Sequence, residues 1–160
     1  MAVRIPKWSR EFTVEMNGKK LDFVPENGYI YMDISESAEI TIVLDGTPRF
    51  VRASCKVPRA AGMTALMRGP LVYCFEGVDN GNVSELRIDR RTSPTVCEYD
   101  PELLNGTVML KVKAERIIDC DDLYSIEAEQ TEPCEAYAVP YYTWGNCGEN
   151  DMRVWVNVCG

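Results

Sequence analysis

The sequence predicts an all-β protein of roughly nine to eleven short strands. Three observations lead there. Apolar and polar residues alternate with period two in at least five segments, the pattern of strands with one buried face. No window of about eleven residues carries a helical stripe of apolar positions. Between the alternating runs stand short turn sequences of the kind that close hairpins.

The elements follow in chain order. Phe12, Val14 and Met16 alternate with Thr13 and Glu15, and Asn17-Gly18 then supplies the two residues a tight hairpin turn demands. Ile30, Met32 and Ile34 make the next run, followed by Ile40, Ile42 and Leu44, which ends at Asp45-Gly46. Residues 63–67 and 71–75 are apolar runs separated by Arg68-Gly69-Pro70. Pro70 has no N–H to give to a ladder, so it is expected to open the second strand or to lie on an edge. Asp79-Asn80-Gly81-Asn82 reads as a turn. Residues 98–104, with Pro101 near the start, are expected to form one turn of helix. After Asn105-Gly106, Val108, Leu110 and Val112 alternate with Met109, Lys111 and Lys113. Met152, Val154, Val156 and Val158 then predict a last strand whose valines enter the core, with Arg153 and Asn157 on its other face. The strongest internal boundaries are the turn at 79–82 and the region of Glu132-Pro133. They divide the chain into a jelly-roll-like β-sandwich of residues 1–80 and 135–160 and an inserted β-rich segment of residues 81–134, two parts that can merge into one compact domain.

Composition removes several functions. With 160 residues, 46% of them hydrophobic and 26% charged, the chain can bury a core without a metal or disulfide staple. No apolar run approaches the roughly 20 residues that cross a bilayer. Nor do the opening residues Met1 to Pro6 lead into the apolar stretch of a secretion signal. A net charge of -8 with scattered Lys and Arg repels phosphate backbones, so neither nucleic acid nor membrane is an expected partner. The cluster Arg87, Arg90 and Arg91 is read as a solvated turn. Histidine is absent, which removes Ser-His-Asp triads, Cys-His nucleophile pairs and histidine metal sites from this chain. The seven cysteines, Cys55, Cys74, Cys97, Cys120, Cys134, Cys147 and Cys159, are odd in number and include no CxxC. They are expected to be free, mostly buried thiols rather than an obligatory disulfide framework, which suits a reducing, cytoplasmic compartment.

What remains is a short set of candidates. Asp119-Cys120-Asp121-Asp122 offers hard oxygen ligands but lacks the glycine and distal glutamate of a calcium loop, and it is read as a solvated loop. Glu76, Asp79, Glu115 and Glu127 are carboxylates of the type that cleave glycosides in pairs, although a chain with 25 acidic residues brings some close by chance. Asn82-Val83-Ser84 and Asn105-Gly106-Thr107 match the glycosylation acceptor pattern. No glycine-rich phosphate loop occurs, and no cofactor is expected in this chain. The aromatics Tyr141, Tyr142, Trp144 and Trp155 are the most informative group. They serve either as a sugar-stacking platform or as packing in a core or interface, where each ring buries a large apolar area.

Those aromatics also carry a resemblance. "PYYTWGN" followed by "MRVWV" resembles the closing motif of the bacterial β-L-arabinofuranosidases of glycoside hydrolase family 127. "VRIPKW" at 3–8, "MNG" at 16–18, "GYIYM" at 28–32 and, most specifically, "MTALMRGPLVYCFEGVDN" at 63–80 are similar to the family in the same order, and "LY" at 123–124 fits a weaker motif. "DISESAEI" departs from the family, which has an Arg-x-Trp pair and a Gly-Asp turn there. The resemblance implies a β-sandwich region that follows a large catalytic (α/α)6 barrel, with a second β domain inserted in the first. It also implies that the family's zinc, zinc-bound cysteine nucleophile and glutamate acid/base belong to that barrel, so that Cys74 is a buried strand residue and no catalytic or metal position falls in this chain. Met1 standing just ahead of an in-family strand implies a piece separated from a longer parent. The expectation is therefore a noncatalytic C-terminal module whose partner is the missing barrel, with weak self-association where the aromatic face is bare. An autonomous carbohydrate-binding module is the alternative.

Overall fold

A computed structural model of the chain describes residues 1–34, 37–103, 106–118 and 123–160. It is an all-β sandwich architecture, with fourteen strands among the described residues, more than the sequence predicts. The chain divides into two compact units, Met1–Thr47 and Pro48–Gly160.

In the first unit, β1 (Ala2–Arg4) pairs antiparallel with β4 (Tyr29–Tyr31). A three-stranded antiparallel sheet runs in the order β3 (Lys19–Leu21), β2 (Phe12–Met16), β5 (Ile40–Leu44). The β2–β3 hairpin turns where the sequence predicts it. Asn17 and Gly18 sit at φ 50° and 74°, the paired positive values of a two-residue turn whose twist matches the flanking strands. Asn17 also accepts the Glu39 N–H through Oδ1 at 2.9 Å, which ties the hairpin to the entry of β5. Ile5, Val14, Ile30 and Met32 form the buried centre between the two sheets.

The second unit contains β6 (Pro48–Arg52), β7 (Met63–Arg68), β8 (Leu71–Glu76), a short helix α1 (Gly77–Asn80), β9 (Leu86–Ile88), β10 (Thr95–Asp100), β11 (Thr107–Ile117), β12 (Thr131–Pro140), β13 (Met152–Arg153) and β14 (Val156–Val158). Its ladders close on themselves. β7 pairs with β8, β8 with β12, β12 with β11, β11 with β9, β9 with β14, and β14 returns to β7. All of these are antiparallel except β9–β14. The six strands make a ring around a core that includes Leu66, Tyr73, Phe75, Leu86, Ile88 and Leu110. β6, β10 and β13 extend it from β7, β11 and β8.

Three details differ from the sequence reading. The predicted last strand is two strands, because Met152 and Arg153 pair with Glu76 and Phe75 whereas Val156 and Asn157 pair with Thr64 and Met63. The bend that carries the chain from one partner to the other falls at Val154 and Trp155, so only Val156 is fully buried, and Val154 and Val158 are half-buried. Pro70 lies in the turn before β8, where Gly69 at φ 55° precedes it. A positive-φ glycine at the first central position of a two-residue turn is the II′ arrangement, which leaves proline at the second. Residues 98–100 belong to β10 rather than to a helix, and the Asp100 carboxylate ends that strand by accepting the N–H groups of Glu102 and Leu103 at 2.9 and 3.2 Å. Residues 81–134 supply β9, β11 and the start of β12 to the ring, with β10 added beside β11.

Candidate functional site

The site grows from the corner where β8 runs into α1. Glu76, the last residue of β8, is 1% exposed, and its Oε1 accepts the Gly145 N–H at 3.2 Å. Oε2 is buried without a hydrogen bond. One residue on, the Gly77 N–H donates to the Asp151 carbonyl at 2.8 Å and to Asn150 Oδ1 at 2.9 Å. Asn80 closes the corner. Its amide donates to the carbonyls of Glu76 and Tyr137 at 2.8 and 2.9 Å and accepts the Tyr137 N–H at 2.8 Å. The corner thus grips β12 on one side and the loop after it on the other.

That loop presents the aromatics. After Pro140, Tyr141–Thr143 form a single 3-10 turn. Thr143 is buried and donates through Oγ1 to the Pro140 carbonyl at 2.6 Å, and Asn146 donates to the Thr143 carbonyl at 2.8 Å. The turn brings Tyr141 and Trp144 together as stacked rings, with centroids 6.5 Å apart and planes 9° from parallel. Tyr141, Tyr142 and Trp144 are 48%, 65% and 46% exposed. Trp155 is not part of the stacked pair and sits half-buried in the bend between β13 and β14. Three of the four predicted aromatics are therefore surface, and one is partly interior. The sequence reading named Glu76 only as a candidate carboxylate and missed its part, with Asn80 and Gly145, in holding the loop. Its available signal was an asparagine in an apparent turn directly after a strand.

The other candidates separate by burial. Glu76 is sealed from solvent. Asp79 is exposed on α1, and Glu115, on β11, accepts the Thr131 hydroxyl at 3.0 Å. Glu127 is exposed, with its N–H bonded to the Ser125 hydroxyl. Asp119–Asp122 and Asn105 lie outside the described residues. Among the described residues, no three His, Cys, Asp or Glu side chains are placed to hold a metal ion. Of the six described cysteines only Cys74 is buried, and Cys55 and Cys147 are exposed, so the expectation of mostly buried thiols is corrected. Burial, with the charges of Glu76 and Asp79 behind it, pushes the Cys74 thiol up to about 12. A thiol so reluctant to ionise is a poor nucleophile.

The sequence profile of the glycoside hydrolase family 127 C-terminal domain matches residues 48–157. The chain belongs to this family. A non-reducing end β-L-arabinofuranosidase of Bifidobacterium longum subsp. longum is 37% identical over 163 aligned residues, which are 95% of this chain and 25% of the relative. The crystal structure of a GH127 β-L-arabinofuranosidase from Geobacillus stearothermophilus T6 superposes with a TM-score of 0.93 at 36% identity, over 99% of this chain and 26% of that one. A second GH127 β-arabinofuranosidase gives 0.81 at 27% identity, over 99% and 25%. The family 127 C-terminal domain described here, with its preceding unit, thus spans about a quarter of the length of these relatives.

Proposed function

We propose that this chain is a noncatalytic module of a β-L-arabinofuranosidase-like glycoside hydrolase, and that it packs on the parent's catalytic barrel and stabilises it. The observation that carries this reading is the stacked Tyr141–Trp144 pair with Tyr142 beside it, exposed on a loop that Glu76 and Asn80 hold in place. A rigid, exposed aromatic surface on a module found in much longer relatives suits an interface within one polypeptide. On this reading the zinc, the cysteine nucleophile and the glutamate acid/base are supplied by the barrel, and the module contributes packing.

The exposure of the same rings favours a second reading, a carbohydrate-binding module that stacks on furanose or pyranose rings. Calorimetric titration with arabinan fragments separates the two. Packing predicts no measurable heat of binding, and no hydrolysis of arabinofuranosides with or without added zinc. Binding that vanishes in Trp144→Ala, with the circular dichroism spectrum unchanged, would establish the carbohydrate-binding module instead.

A further inference from the structure

We propose that the open edge of β5 receives a β-strand from the polypeptide that lies outside this module in its longer relatives. The two edges of the first unit's three-stranded sheet are built differently. β3 presents exposed Lys19 and Lys20, the charged protection that discourages an edge from pairing further. β5, Ile40-Thr41-Ile42-Val43-Leu44, has neither charge nor proline and, among the described residues, pairs only with β2. Its inward row, Ile40, Ile42 and Leu44, packs against the core yet is only half-buried, and outward-facing Val43 is 59% exposed.

The backbone of β5 is also half used. Asn17 donates to the Glu39 carbonyl at 2.9 Å, and the Asp45 N–H donates to the Glu11 carbonyl at 3.0 Å. Antiparallel bonding alternates, so with this register Thr41 and Val43 also turn their N–H and C=O groups to β2. Ile40, Ile42 and Leu44 turn theirs to the open edge. An added strand would pair with that row of donors and acceptors and complete the cover of the half-buried side chains, which is the strand-addition mode of recognition.

Three observations identify the occupant. The C-terminal domain profile begins at residue 48, so the first unit belongs to what precedes that domain, while the aligned relatives continue across it and are about four times longer than this chain. At 47 residues the first unit lies close to the size, about 40 residues, below which a single core usually needs outside support. One of its two sheets has only two strands, and such a pair is marginal alone. The strand sought is extended and alternately apolar, with its apolar row beside Ile42. The inference rests on the reading that the module works beside a larger polypeptide.

Residue-resolved hydrogen exchange tests it, on the 160-residue chain and on that chain fused at Met1 to the segment that precedes the matched region in the Geobacillus enzyme. In the unfused chain the N–H groups of Ile42 and Leu44 should exchange much faster than those of Thr41 and Val43. In the fusion they should slow by about tenfold or more. Ile42→Pro, which removes an outward N–H without taking a bond from β2, should suppress the protection gained at Leu44. The proposal is overturned if Ile42 and Leu44 are already protected in the monomeric chain, or if fusion leaves them unchanged. Protection that rises with protein concentration alongside a dimer in sedimentation would assign the edge to a second copy and overturn it as well. Trp144→Ala lies outside this unit and should not alter the Ile42 rate, so the aromatic interface can fail while the strand site stands.

Discussion

Asn80 shows how much one side chain can organise. Its three hydrogen bonds join the end of β8 to the middle of β12, and a buried peptide group left without a partner costs more than an average bond gains. Asn80→Ala should therefore lower stability by about 2–3 kcal/mol, read as a drop in the urea midpoint at constant m-value. Glu76→Ala should act more locally. It releases Gly145, so the near-ultraviolet dichroism of the Tyr141–Trp144 pair should weaken while far-ultraviolet signal is kept. The thiols give a pH-dependent test. Cys74 is raised from an ordinary 9.0 to about 12, so the unfolded chain loses that proton at lower pH than the native one. Its contribution is intact below pH 9 and is lost as pH climbs from about 9 to about 12. Maleimide at pH 8 should accordingly modify exposed Cys55 fastest, Cys147 more slowly because its thiol is also raised, and native Cys74 last, as read by mass mapping. The sequence already placed Cys74 in a buried strand, as found, but the partners of Asn80 and Glu76 were not legible, since one residue in a one-dimensional pattern does not reveal which distant backbone it meets.

At the scale of elements, period-two alternation located β2, β5 and β11, which turn alternate residues to a core, whereas β7 and β8 were legible as apolar runs because each buries consecutive residues on both faces. The same signal misread residues 152–158. Alternation reports which face is buried and carries no information about which strand lies alongside, and here the neighbour changes from β8 to β7 at Val154 and Trp155. Asp, Asn and Gly favour turns in any setting, so residues 79–82 announced a turn without revealing that Asn80 acts as a tertiary clamp. Val156 is the point where β14 enters the ring, 2% exposed and between β7 and β9. Val156→Asp should cost about 3–5 kcal/mol, since it puts an unpaired charge in the core. Val154→Asp, at the half-buried bend, should cost clearly less. Equal melting temperatures for the two variants would mean that the strand is not broken where the ladders place the break.

For the molecule as a whole, the division at residue 47 sets up two unequal cores. The second unit closes a six-stranded ring around twelve buried residues, and a closed sheet leaves few of its ladder groups to water. The first has, among the described residues, a hydrophobic core of four between a two-stranded and a three-stranded sheet. Burial of apolar area is the main favourable contribution to folding, and the backbone entropy it must exceed scales with every ordered residue, so the smaller unit has the narrower margin. Residues 48–160 expressed alone should retain cooperative melting and dispersed amide resonances, whereas residues 1–47 alone should show the narrow dispersion of an unfolded chain. Addition of a reductant should leave the melting temperature of either form nearly unchanged, because the fold is attributed to its cores rather than to a disulfide framework. A drop of several degrees on reduction would reveal a bridge that holds the units together. Loss of cooperativity in residues 48–160 would mean that the ring depends on the first unit for its stability.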